Sequence, residues 1–181
     1  MRRMANCNWR RDTRGSTAVE FAIVAPILLA LIFAVIEAGW YFFVTSSVHQ
    51  ANANAARLIR TGQAQANDLS ADAFFEEVCR VVDSFGDCNE KLTIDVARFD
   101  NFAALSDDMS NPVCRNKDDP SIAGAQFSQA DYGAQRDIIR VRICFLYKPL
   151  NPALGLNLAQ TEHGERKIIS VSIFRNEPFS G

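Results

Sequence analysis

The apolar positions fall into two regimes. From Phe21 to Val44 they are nearly continuous, and 24 residues hold one charge, Glu37. After about residue 60 they alternate with polar positions, as in a water-facing domain. A helix of 24 residues rises about 36 Å, enough to cross a hydrocarbon core of about 30 Å. A cleaved secretory signal has a shorter apolar core followed by a small-x-small site. Here the run continues into Val48–Arg60, which is alanine-rich and free of proline and glycine. The pattern predicts one anchor helix from Ser16 to Thr61, ended by Thr61-Gly62, with a kink at Pro26.

Gln63 to Leu69 reads as a polar connector. A second helix starts with Ser70 as N-cap, and Leu69 and Phe74 occupy the positions of a hydrophobic staple. Phe74, Phe75, Val78, Val81, Val82 and Phe85 mark its apolar face, and Gly86 ends it. Three strands follow by alternation. Leu92, Ile94 and Val96 share one face of the first. Ile139, Val141, Ile143, Phe145 and Tyr147 share one face of the second, with Arg140 and Arg142 opposite. Ile169, Val171 and Ile173 form the third set. The expected fold is α+β: a long N-terminal helix, a second short helix, and a small antiparallel sheet of about three to four strands packed on them. Residues 101–135 are rich in Asn, Asp and Ser, with Pro112 and Pro120, and read as a mobile surface loop.

Charge sets an orientation. Residues 1–15 hold five arginines and one acid, a local charge of +4; residues 16–181 carry −6. A basic arm before an apolar run stays in the cytoplasm. The organisation expected is a basic cytoplasmic leader (1–15), a transmembrane and extended helix (16–62) and an extracytoplasmic domain (63–181), in a single-pass protein of a bacterial inner membrane. The acidic remainder argues against nucleic-acid binding, which needs a clustered positive face.

Of five cysteines, Cys7 falls on the cytoplasmic side. Cys79, Cys88, Cys114 and Cys144 fall beyond the span, an even number suited to two disulfides in an oxidising compartment. Three pairings are open, and sequence order favours Cys79–Cys88 with Cys114–Cys144. Cys144 alternates with the arginine face of its strand, so that bridge would pin the long loop to the outer side of the sheet.

Glu37 lies near the outer end of the run, followed at once by Trp40 and Tyr41, an interfacial aromatic pair. It is expected to reach the outer headgroups; contact with a partner helix is the other reading. Ala18 and Ala22, then Ala30, Ala34 and Ala38, recur four apart, a spacing that lets membrane helices approach closely.

Before the span stands Arg14-Gly15-Ser16-Thr17-Ala18-Val19-Glu20-Phe21. A basic leader ends in glycine, and a glutamate follows five residues later. An aromatic then opens the apolar run. A charge at the lip of an apolar segment tends to be kept for function. The arrangement resembles the class III signal of type IV pilins, in particular the Flp/Tad branch. Ala22-Ile23-Val24-Ala25-Pro26-Ile27-Leu28-Leu29 and the C-terminal Phe174-Arg175-Asn176-Glu177-Pro178-Phe179 look like the TadE-like (TadE/TadF) minor pseudopilins. The resemblance implies that a prepilin peptidase, a membrane aspartic enzyme, cuts between Gly15 and Ser16. Glu20 and Phe21 become the fifth and sixth mature residues. The Glu20 carboxylate could then pair with the amine on Ser16 of a neighbouring subunit; capping the helix start is the plainer role. Major pilins of this branch end soon after the helix, whereas this chain carries about 120 further residues. The implied part is that of a minor pseudopilin in pilus assembly. Its partners would be the membrane, the peptidase, other pilin-like subunits and the Tad secretion machinery. The alternative is an unprocessed anchor whose outer domain binds partners in an envelope or secretion complex.

No catalytic constellation stands out. His49 and His163 are the only histidines, and both read as solvated. No nucleophile elbow, phosphate loop or close cysteine pair is present. Asp107-Asp108 and Asp118-Asp119 read as solvated acids. The expectation is a non-enzyme with no cofactor, no metal and no small-molecule substrate.

Overall fold

The computed structural model describes residues 15–108, 110–115, 121–150 and 159–179. The leader up to Arg14, with Cys7, and the Asp118-Asp119 pair lie outside the described residues.

Helix α1 (Ser16–Arg60) runs 45 residues without a break, through Pro26. Its two halves meet different surroundings. The large apolar residues from Val19 to Ile36 are exposed, Phe21 by 72% and Val35 by 64%. Beyond them, Val44, Val48, Ala51, Ala55 and Ile59 are buried at helical spacing, so one stripe of the distal half forms core. The helix stops at Thr61-Gly62, where Gly62 adopts φ +77°, a left-handed conformation that favours glycine. The Phe179 ring packs where a Cβ on Gly62 would stand.

A single turn, α2 (Gln63–Ala66), leads to α3 (Ala71–Val82). Ser70 caps α3 as expected, accepting from Ala73 N at 3.2 Å. Phe74, Phe75, Val78 and Val82 are buried, while Val81 stays partly exposed. A 3-10 turn (Asp83–Phe85) and α4 (Cys88–Lys91) return the chain to the sheet.

The sheet has three antiparallel strands in the order β1 (Leu92–Phe99), β2 (Ile138–Tyr147), β3 (Arg166–Arg175). Ile94 stands opposite Ile143, and Ile143 opposite Ser170. The helix-facing residues of β1 and β2 are the predicted ones. β3 differs. Ile169, Val171 and Ile173 do share a face, but it is the outer one, and they are 40%, 49% and 51% exposed. The register with β2 instead puts Ile168, Ser170, Ser172 and Phe174 toward α1. Buried Ser170 and half-buried Ser172 are tolerated because α1 supplies their hydrogen bonds. His49 Nδ1 lies 2.8 Å from Ser170 Oγ, so this exposed histidine also bonds the strand. The Asn52 amide is satisfied with its oxygen toward the strand, where Ser170 Oγ (2.9 Å), Ser172 Oγ (3.1 Å), Val171 N and Ser172 N (both 3.3 Å) reach it.

Residues 101–110 also depart from expectation. They form α5 (Phe102–Asp107), capped by Asn101 on Ala104 N at 2.8 Å, and contact the sheet through Asp108 and Ser110. Two buried arginines hold them there. Arg142 donates to Asp95 Oδ2 (2.7 Å) and to Ser110 O (2.7 Å). Arg140 pairs with Asp108 at 2.8 Å and lies over the Phe99 ring at 5.0 Å. A charge can be buried only when it is paired and hydrogen-bonded, so the arginine face required a lid. Every residue of β2 is buried as a result.

Candidate functional site

Two regions carry the residues singled out by the sequence: the start of α1, and the junction where α1 enters the folded head.

Gly15 precedes the helix and Ser16 begins it. Ser16 Oγ donates to Glu20 Oε1 at 3.1 Å across the first turn. Glu20 and Phe21 are exposed. No basic side chain pairs with Glu20 among the described residues, so its carboxylate is open to a partner from outside. Ala22 and Ala38 are exposed and Ala30 and Ala34 partly so, leaving that face of the helix uncovered.

The junction is built on Glu37. This carboxylate is 1% exposed. It accepts from Tyr147 Oη at 2.6 Å and from Leu150 N at 3.0 Å. It therefore meets neither headgroups nor a partner helix; it ties α1 to the end of β2. Burial, and then the hydrogen bond to Glu37, push the Tyr147 hydroxyl above its ordinary pKa. The Tyr41 ring lies tilted against Tyr147 at 5.4 Å, and its hydroxyl accepts from Arg166 Nε at 3.0 Å. On the other side, Trp40 and Phe43 meet Phe85 edge-on at 5.9 and 5.6 Å. Alternation put Tyr147 on the helix-facing side of its strand. No local signal links it to a glutamate 110 positions earlier.

The far end of α1 is held by the C-terminal segment. Glu177 N donates to Arg60 O at 2.9 Å, and their side chains pair at 3.2 Å. Asn176, buried, donates to Tyr132 O (2.9 Å) and Ala134 O (3.0 Å). Gln135 reaches the Phe179 carbonyl. This is the Phe174–Phe179 motif noted in the sequence.

The disulfides are Cys79–Cys88 and Cys114–Cys144, with Cα separations of 5.7 and 5.4 Å. The second pins residue 114 to the outer face of β2. Cys79, Asp83 and Cys88 cluster within 4.8 Å, but the two sulfurs bond each other and offer no thiolate to a metal. Asp108 is taken by Ser110 and Arg140. Hydrogen bonds from Ser110, then the Arg140 guanidinium, hold its carboxyl at about 2.

The model of the family described as TadE-like protein matches residues 15–57, a stretch that opens at Gly15 and closes within α1. No curated protein matches the chain, and no solved structure does. The matched segment covers most of α1, which is the one helix among the described residues long and apolar enough to cross a membrane.

Proposed function

We propose, from the TadE-like match over residues 15–57, that this chain is a minor pseudopilin acting in assembly of a Flp/Tad pilus. A prepilin peptidase removes residues 1–15. The exposed part of α1 lies in the inner membrane with the basic leader on the cytoplasmic side, and the head stands outside. The single observation that carries this reading is the continuity of α1. One helix begins next to Gly15, leaves its apolar half uncovered, and becomes the core of a disulfide-bearing head without a linker.

The geometry supports a bilayer boundary at Glu37 rather than at Val44. Ser16 to Ile36 is 21 residues, and at about 1.5 Å each these rise about 31 Å, close to a hydrocarbon core. Val44 is fully buried against the head. Trp40 and Tyr41 then stand at the headgroup level, where aromatic side chains are favoured. The uncovered face with Ala22, Ala30, Ala34 and Ala38 is available to other pilin-like helices. The open Glu20 carboxylate is available to the Ser16 amine of a neighbour.

The deciding measurement is the N-terminus of the protein isolated from its own membranes, by intact mass and peptide sequencing. A mature chain starting at Ser16 is expected. A chain that retains Met1 would overturn processing and leave an unprocessed anchor bearing a partner-binding head.

A further inference from the structure

We propose that the open edge of β3 and the adjoining face of α1 form a docking groove for an acidic, extended segment of a different protein. The proposal does not depend on processing or on pilus membership.

The two sheet edges are treated differently. β1 is covered, because Ile94 bridges Ala125: Ile94 N donates to Gly124 O at 2.7 Å, and Ile94 O accepts from Gln126 N at 2.8 Å. β3 is the last strand of the sheet, and among the described residues no further strand or bridge pairs with residues 167–175 on its far side; Asn52 reaches it near Val171 and Ser172. Beyond Asn52 a groove of about 600 Å³ opens between Val171–Phe174 and Ala53–Arg60. Ala53 and Ala56 form its floor, and such small residues leave room for another backbone. A free edge of this kind is a template for an added strand, with main-chain hydrogen bonds for affinity and side chains for selectivity.

Charge selects the occupant. The groove is lined by Arg57 and Arg60 and by no acid. Arg57 has no ion-pair partner among the described residues, and Arg60 holds only the half-exposed Glu177. Val171 and Ile173 offer an apolar wall on the outer face. The chemistry that fits is a strand with carboxylates toward Arg57 and alternate apolar side chains toward Val171 and Ile173. A second copy fits badly. Antiparallel pairing of β3 with its twin about the strand centre brings Arg166 against Arg175, and opposed like charges destabilise a strand pair. Residues 151–158 contain no acid, and the acidic stretch 116–120 follows Arg115, which bonds β1 at Leu92 O, two strands away.

The test places a photo-crosslinking amino acid at Val171 in the full chain, in its native membranes, and maps the joined peptides by mass spectrometry. The expected product joins Val171 to another polypeptide within a segment bearing Asp or Glu. Arg57→Glu should lower its yield about ten-fold, a difference of about 1.4 kcal/mol, and Arg57→Lys should retain it. Three results would each overturn the proposal: a product joining two copies of this chain, no protein product, or a yield indifferent to Arg57→Glu.

Discussion

At the scale of single residues, Glu37 decides how the head meets the helix. A carboxyl group buried this deeply depends on its donors, because a buried acceptor left without a hydrogen bond keeps its full desolvation cost. Tyr147→Phe keeps the ring and removes the 2.6 Å hydrogen bond. It should lower stability by about 1.5–3 kcal/mol, read as the midpoint of denaturant unfolding in detergent. An unchanged midpoint would mean that Leu150 N and the surrounding packing suffice. The sequence presented Glu37 as an isolated acid in an apolar run, and nothing near it announced a donor from β2. His49 was illegible for the same reason, since its partner Ser170 lies 121 positions away. Cap residues were readable because their partners are three residues on. Ser70 and Ala73 show this.

At the scale of elements, the strands were legible by their period, and only β3 was misread by its face. β1 and β2 point their apolar sets at α1, as hydrophobic alternation predicts. β3 carries its apolar set outward because α1 provides polar groups, Asn52 and His49, where a greasy face was expected. Alternation gives period and spacing, not which side the neighbour occupies. The loop at 101–110 was misread from composition. Its Asn101, Asp108 and Ser110 serve as a helix cap, an ion-pair partner for Arg140 and a carbonyl acceptor for Arg142. The two disulfides also act at this scale. In the loop-entropy account, a bridge closing 30 residues is worth about 3.6 kcal/mol and one closing 9 about 2.6. Cys114→Ser/Cys144→Ser should therefore reduce stability more than Cys79→Ser/Cys88→Ser. The former should also raise hydrogen exchange across β2, where the outer lid is attached. Equal exchange in the two variants would show that the Arg140 and Arg142 pairs alone hold the lid.

At the scale of the whole molecule, the division of α1 into an uncovered half and a core half governs behaviour. Glu20 lies in the uncovered half, remote from every packed contact of the head. Glu20→Ala should leave head stability and membrane insertion unchanged, within about 0.5 kcal/mol as for exposed sites, while impairing piliation of the cells. Normal piliation in that variant, scored by electron microscopy beside a membrane-fraction blot, would count against a role for this carboxylate in assembly. The long apolar run, the α+β class and the helix-to-head order were readable because each rests on many residues. The end of the uncovered stretch at Glu37 was not, because hydropathy alone cannot distinguish exposed apolar residues from those that meet a protein core.

Helix α1 also has a mechanical consequence. It is fastened at three heights: by Glu37 to β2, by Asn52 to β3, and by the Arg60–Glu177 contacts to the C-terminal segment. No flexible tether separates head from rod. A force or torque applied to the head is therefore delivered to the apolar half without slack, and the two travel together. Pro26, which lacks the amide for one helical hydrogen bond, is the compliant point along the shaft. Bending under load should therefore concentrate there, below the head.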